Sequence, residues 1–208
     1  TLDAYSVTLG DRIVRSGTVN SIGGAINSPL VNTAIAAHGN ILDPTATQNG
    51  VTAFLNGLDT LTQGVDLTIN YPTDFGDMGL VDWTLAGNYN STSLSSVAPT
   101  PSVLTLSNPA ATFFQPYVLY NFVHSAPQEK VGLTANWSLD EFGVTFRETY
   151  YGPQHQFTTP NSGPPLYNSS QAGVGLTDLE ARYNITEGFQ FAIGGNNIFN
   201  IRRNVVGF

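Results

Sequence analysis

Seven segments of the chain alternate apolar and polar side chains with a period of two. That period confines the chain to β-architecture, because only an extended strand sends successive side chains to opposite faces. Tyr5, Val7 and Leu9 alternate with Ser6, Thr8 and Gly10. Val65, Leu67, Ile69 and Tyr71 alternate with Asp66, Thr68 and Asn70, and Val81, Trp83, Leu85 and Tyr89 alternate with Asp82, Thr84, Ala86 and Asn88. Val131, Leu133, Ala135, Trp137 and Leu139 form a further apolar row, answered across Asp140-Glu141 by Phe142, Val144 and Phe146. Leu179, Ala181, Tyr183 and Ile185, then Phe189, Phe191 and Ile193, flank Thr186-Glu187-Gly188 as the last pair. An all-α fold is excluded, and no apolar run approaches the roughly 18 residues that a helical membrane span needs.

The connections alternate between long and short. Residues 15–57, 95–128 and 153–172 are long, whereas 72–78, 140–141 and 186–187 are short. Compact soluble domains connect their elements with about 4–6 residues. An alternation of tight turns with loops rich in Gly, Pro, Ser, Thr and Asn fits an outer-membrane barrel, with its short periplasmic turns and longer extracellular loops. The two faces agree: one row carries Val, Leu, Ile, Phe, Trp and Tyr and suits lipid, while the other carries Asp, Asn, Thr, Gln and Gly and suits a wet lumen. Rings gather at both ends of the apolar rows, and Tyr71, Trp83, Tyr89, Trp137, Phe142 and Phe189 are read as membrane girdles. Glu148 interrupts the row of Phe142, Val144 and Phe146, so the strand is expected to bulge or to leave the membrane there.

Charge and composition narrow the function. Only 11% of residues are charged, and 7 Lys+Arg against 15 Asp+Glu give a net charge of −8, which speaks against a nucleic-acid partner. With no Cys, thiolate metal sites, disulfides and thiol nucleophiles are all excluded. The start, Thr1-Leu2-Asp3-Ala4-Tyr5, has neither the basic nor the apolar region of a signal peptide. Seven strands leave open edges that a bilayer does not tolerate, and bacterial single-chain barrels have even strand counts, so the chain is expected to be part of a larger barrel. Ile201–Phe208 is too short for a loop and another span.

The runs Tyr5-Ser-Val-Thr-Leu-Gly-Asp-Arg-Ile-Val-Arg-Ser-Gly17 and Gly57-Leu-Asp-Thr-Leu-Thr-Gln-Gly-Val-Asp-Leu-Thr-Ile-Asn-Tyr71 resemble the C-terminal barrel of TonB-dependent outer-membrane receptors. Asp178-Leu-Glu-Ala-Arg-Tyr-Asn-Ile-Thr-Glu-Gly-Phe189 and Asn197-Ile198-Phe199-Asn200 resemble that family's penultimate hairpin and its Asn-Leu-Phe-Asp-like signature. The resemblance implies that residues 1–208 are about the fifteenth to twenty-first strands of a roughly 22-stranded barrel filled by a plug. The plug, the TonB-contacting box and the final strand are expected to lie outside the chain. The implied partners are outer-membrane lipid, the plug and remaining strands of the same protein, the TonB complex, and a small-molecule ligand such as a ferric siderophore. The implied location is the outer membrane of a Gram-negative bacterium.

Candidate sites follow from residue type. Phe113, Phe114, Tyr117, Tyr120 and Phe122 form a dense aromatic run in the second long connection, joined by Phe157 and Tyr167 in the third. Of these, Phe113, Phe114, Tyr117, Tyr120, Phe157 and Tyr167 are the expected substrate contacts, since ring faces stack on ring-bearing ligands; packing among loops is the competing reading. Asp66, Asp82, Asp178, Glu180 and Arg182 stand on polar rows and are expected to line the lumen rather than to form catalytic pairs. His38, His124 and His155 lie in long connections and read as solvated side chains; Asn108-Pro109-Ala110 does not match the Phe-Arg-Ala-Pro-like motif of haem receptors. No nucleophile elbow, zincin motif or phosphate-binding loop occurs, and neither catalysis, a cofactor nor a metal is expected. A passive porin shares the strand pattern, and a soluble β-sandwich module would bury the apolar rows against a second sheet.

These readings fix an orientation. A protease site inserted near Asn108 or Asn161 should be cut from outside intact cells, whereas one at Asp77 or Glu187 should be protected; the reverse labelling would invert the topology.

Overall fold

The computed structural model describes residues 1–17, 19–20, 36–37, 39, 50–102, 105, 112–158 and 167–202. Alternation produces what it dictates: β1 (Leu2–Arg15), β4 (Phe54–Asp74), β5 (Leu80–Val97), β6 (Glu129–Leu139), β7 (Phe142–Tyr151), β10 (Val174–Thr186) and β11 (Phe189–Gly195) form a seven-stranded sheet in the order β1-β4-β5-β6-β7-β10-β11. Neighbours in the sheet are neighbours in the chain order of these seven strands, and the sheet is open, with β1 and β11 at its edges. The long connections hold further structure that alternation does not reveal. β2 (Val19–Asn20) pairs with β3 (Gly50–Val51), β8 (Gln154–Thr158) pairs with β9 (Tyr167–Gln171), and α1 spans Pro116–His124.

The registers from β5 to β11 carry each row across the sheet. Val81 pairs with Trp137, Trp137 with Val144, Val144 with Ala181 and Ala181 with Ile193, giving an apolar row. One step along, Asp82 pairs with Asn136, Asn136 with Thr145, Thr145 with Glu180 and Glu180 with Gly194 on the polar face. Glu148 corrects the expectation of a bulge: β7 pairs without a register shift with Leu133 on one side of it and Thr177 on the other. The carboxylate is accommodated by chemistry rather than by backbone irregularity, because Thr177 Oγ1 donates to Glu148 Oε2 at 2.5 Å. Gly175, next along that row, leaves open the place a Cβ would take from the carboxylate.

β1 departs from the expected facing. Thr1 and Thr68 exchange backbone hydrogen bonds of 2.6 and 2.9 Å, and from there Tyr5 falls over Gly64, whose missing side chain makes room for the phenol. Gly64 shares a face with Asp66 and Asn70, so Tyr5 lies on the polar side of the sheet, not on the apolar row assigned to it by alternation.

Tight turns close the other end. Leu139 pairs with Phe142 around Asp140-Glu141, where Asp140 takes φ 48°. Between β4 and β5 a 3-10 turn at Gly76–Met78 ends in Gly79 at φ 91°, where a Cβ would also collide with the Ser138 carbonyl. Trp137 Nε1 donates to the Met78 carbonyl at 2.7 Å, which ties this turn to β6.

No second layer covers the apolar face among the described residues. Leu133, Phe191 and Ile193 remain exposed, Phe191 to 56%, and the same holds for Val65, Ile69 and Tyr71. Soluble monomers rarely show apolar patches beyond a few hundred Å². Among the described residues the apolar rows are thus not buried against a second sheet as in a β-sandwich. Arg placed at Leu67, Leu133 or Phe191 should destabilise the full-length protein in lipid vesicles by roughly 2–4 kcal/mol at mid-membrane depth, with smaller losses at Thr68, Thr134 or Gln190. Equal losses on both faces in denaturant titrations would show that the two rows share one kind of environment.

Candidate functional site

The chain divides into two compact units: Thr1–Val7, Thr62–Thr92 and Val123–Phe208 make the first, and Thr8–Leu61 with Ser93–Phe122 the second. In the first, period-two alternation sets most polar side chains of the seven-stranded sheet on one face, Glu148 and Thr177 being exceptions, and cross-strand pairing lets them satisfy one another. Asn88 Nδ2 donates to Asp66 Oδ1 at 2.5 Å, Thr84 Oγ1 to Asn70 Oδ1 at 2.9 Å, Thr145 Oγ1 to Asn136 Oδ1 at 2.8 Å, and Gln190 Nε2 to Asn184 Oδ1 at 2.7 Å. Thr62 and Thr92 hydroxyls meet at 2.9 Å. Amide and hydroxyl groups thus form a polar, hydrogen-bonded wall.

The charges on this wall are arranged by the segment after β11. Asp178 pairs in register with Arg147, yet its Oδ1 accepts the backbone N–H of Asn197 at 2.8 Å. Asn197 takes φ 48°, and its amide clamps Ile201 in both directions, Nδ2 donating to the Ile201 carbonyl and Oδ1 accepting the Ile201 N–H, each at 2.9 Å. The Asn197-Ile198-Phe199-Asn200 run is therefore a turn held by its first side chain. Arg182 lies across Gly143, and its Nη1 stands 3.7 Å from Glu180 Oε1; both side chains are partly exposed, so this pair contributes little to stability. Asn136, Thr145, Arg147, Asp178, Glu180 and Arg182 share a polar basin of about 410 Å³. Asp66, Asp82, Asp178, Glu180 and Arg182 all stand on this one face, together with Arg147 and Lys130.

The second unit has a core of its own. Leu58, Phe113 and Phe114 are buried, with Val14, Ala53, Leu55, Leu94, Leu119 and Phe122 packed against them. The Phe114 ring lies on Gly57, where a Cβ would meet it at 2.5 Å. Backbone bonds close the unit: Gly17 N–H donates to the Phe113 carbonyl at 2.7 Å, Ser16 N–H to the Ala53 carbonyl at 2.8 Å, and Ala98 N–H to the Gly57 carbonyl at 2.8 Å. The Arg12 guanidinium sits 4.8 Å from the Phe122 ring centroid.

The expected aromatic contacts thus separate. Phe113 and Phe114, only 4% and 6% exposed, are packed in the core of the second unit. Tyr117 and Tyr120 lie half-buried on α1, whose Leu119 and Phe122 meet the core. Phe157 is half-buried in β8, and Tyr167 pairs with Thr158 through the backbone of β9. At the short-turn end, Tyr71, Phe142 and Phe189 are exposed on the apolar face, and Phe142 meets Tyr183 at a centroid distance of 4.8 Å; Trp83 and Tyr89 lie exposed further along. His124 falls in the last turn of α1 and His155 in β8; His38, Asn108-Pro109-Ala110, Asn161 and Phe208 lie outside the described residues. Among the described residues no three His, Asp or Glu side chains gather into a metal site. The Asn197 clamp, Arg147 and the Leu58 core escaped the sequence reading, because each depends on contacts between distant segments.

Solved structures share this architecture. FpvA of Pseudomonas aeruginosa, in complex with a heterologous ferric pyoverdine, matches with a TM-score of 0.55 and 14% identity over 97% of this chain and 21% of that chain. The pyoverdine outer membrane receptor FpvA from Pseudomonas aeruginosa PAO1, bound to pyoverdine, matches with a TM-score of 0.53 and 14% identity over 97% and 23%. The FpvAI–pyocin S2 complex gives 0.52 at 14% identity over 97% and 20%. No family model matches the sequence, and no curated protein does. The chain spans about a fifth of the length of these receptors, 21% of the first, and at such identity the likeness concerns the fold: the seven-stranded sheet matches part of the barrel of outer-membrane receptors.

Proposed function

We propose that residues 1–208 are the C-terminal part of the barrel of a TonB-dependent receptor in a Gram-negative outer membrane, which binds a scarce nutrient and imports it with energy supplied through TonB. Ferric siderophore is the proposed nutrient class. The observation that carries this reading is the single-layer sheet with one uncovered apolar face and one hydrogen-bonded polar face, joined by alternating short and long connections and matching a stretch of receptor barrel. The apolar rows then meet lipid, and Tyr71, Trp83, Tyr89, Trp137, Phe142 and Phe189 act as girdles. The polar rows of Asp66, Asp82, Asp178, Glu180 and Arg182 line the lumen and face the plug and, in passing, the ligand. The proposed role is transport, not catalysis, and the solved proteins of this architecture are receptors.

The second unit serves as a capture platform in this reading, with Phe113 and Phe114 supplying its rigidity and Tyr117 and Tyr120 its proposed ligand contacts; Phe157 and Tyr167, in the first unit, are proposed ligand contacts by themselves. Transport is tested by uptake of a radio-iron-loaded siderophore into cells carrying or lacking the full-length gene. Uptake that depends on the gene and on TonB supports the receptor; gene-dependent, TonB-independent entry of small solutes would support a passive porin instead.

Packing and contact roles give opposite mutational signatures. Phe114→Ala should cost about 3–5 kcal/mol locally and speed hydrogen exchange at the Gly17 and Ala98 amides. Tyr117→Ala should leave those amides protected and weaken ligand binding by about 1–3 kcal/mol if its ring is a stacking anchor.

A further inference from the structure

At the long-connection end of the polar face, one register row runs Asn88, Lys130, Tyr151, Val174. In this row a cation, a ring and an apolar side chain stand side by side. Lys130 Nζ lies 5.3 Å from the centroid of the Tyr151 ring. The same ring lines a cavity of about 340 Å³ together with Pro127, Val174, Leu176, Asn197 and Ile201. Its volume falls within the range of small-molecule sites, roughly 300–1,000 Å³.

The two polar groups of the Asn197 amide are both engaged with Ile201, so this wall of the cavity is held in place and offers little hydrogen bonding inward. The Lys130 ammonium lies against the lining ring of Tyr151, whereas the Asp178 carboxylate next to this wall is engaged by the Asn197 N–H. No carboxylate pairs with Lys130 among the described residues, where the only side-chain ion pair is Arg182 with Glu180. An unpaired cation beside an apolar cavity is a notable choice in a chain of net charge −8, whose acidic residues would otherwise repel an anionic ligand.

Resting on the receptor reading, we propose that this cavity is a ligand subsite for a planar aromatic group bearing an anionic oxygen. The ring fills the space between Tyr151, Val174 and Leu176, where its burial removes apolar area from water. The anionic oxygen meets Lys130 at the rim, where the Tyr151 ring already positions the ammonium.

The test uses the full-length protein in detergent micelles, titrated with 2-hydroxybenzoate and with its neutral analogue 2-hydroxybenzyl alcohol, followed by saturation-transfer NMR. The acid should bind at least about tenfold more tightly than the alcohol at low salt, and 500 mM NaCl should erase most of that preference by screening. Lys130→Gln should abolish the preference without altering alcohol binding, Lys130→Arg should retain it, and Leu176→Asn should weaken both probes about fivefold. Heat-modifiable gel mobility reports folding of each variant, and the salt titration of the unaltered protein decides the matter should Lys130→Gln not fold. Equal affinity for the two probes, or a preference that survives both salt and Lys130→Gln, would overturn the subsite. Loss of the subsite with iron uptake intact would leave the receptor reading standing, whereas acid binding in a protein that imports nothing would overturn the receptor and leave the subsite.

Discussion

Strand register is the constraint on which the rest of the molecule depends. Because side chains alternate with period two, a slip of one residue between β6 and β7 would exchange Trp137 with Ser138 opposite Val144 and carry every apolar side chain of one strand to the polar face. Nothing in the sheet's own apolar side prevents this by close packing, since that face has no second layer of protein among the described residues. Register is fixed instead at the turns and on the polar face. Asp140-Glu141 permits only a two-residue connection between Leu139 and Phe142, and the Trp137 indole anchors the neighbouring turn through the Met78 carbonyl. Cross-strand bonds such as Thr145 to Asn136 and Gln190 to Asn184 then hold the same register from the polar side.

Satisfaction of polar groups also decides which charges stay available. Asp178 stands opposite Arg147 in register and could neutralise it, but its carboxylate caps the backbone of the turn at Asn197. The structural use of one carboxylate leaves a guanidinium facing the polar basin, and a similar economy leaves Lys130 against a ring rather than an acid. Glu148 illustrates the converse. On an apolar row a carboxylate would be costly, and the strand answers with a threonine hydroxyl opposite it and a glycine beside it rather than with a break in the ladder.

Much of this was legible from residue order, and the parts that were not share a cause. The central and C-terminal rows, the tight turns and the alternation of short with long connections all follow from local chemistry, and β4, β5, β6, β7, β10 and β11 form as alternation requires. The facing of β1 is not legible in residue order, because Tyr5, Val7 and Leu9 look like any apolar row; only the pairing of Thr1 with Thr68 and the empty space at Gly64 turn Tyr5 toward the polar side. The aromatic run at 113–122 was legible as a cluster but not as a core. Its partners, Leu58, Val14 and Leu94, come from three separate stretches of chain, and no local pattern announces that they meet.

That core changes what the long connections can do. A ligand-binding surface made of unsupported loops would lose conformational entropy on every binding event. Here the Phe113 carbonyl is bonded to Gly17, its amide to Thr100, and the ring of Phe114 occupies the space over Gly57, so residues from three stretches are ordered before any ligand arrives. In the proposed receptor these buried rings would act on recognition without touching a ligand, by fixing α1 and the half-buried tyrosines it carries. On that proposal affinity and folding are separable at the level of single residues: substitutions at Leu119 and Phe122 act on the core, and those on the remaining surface of α1 act on the proposed ligand contacts.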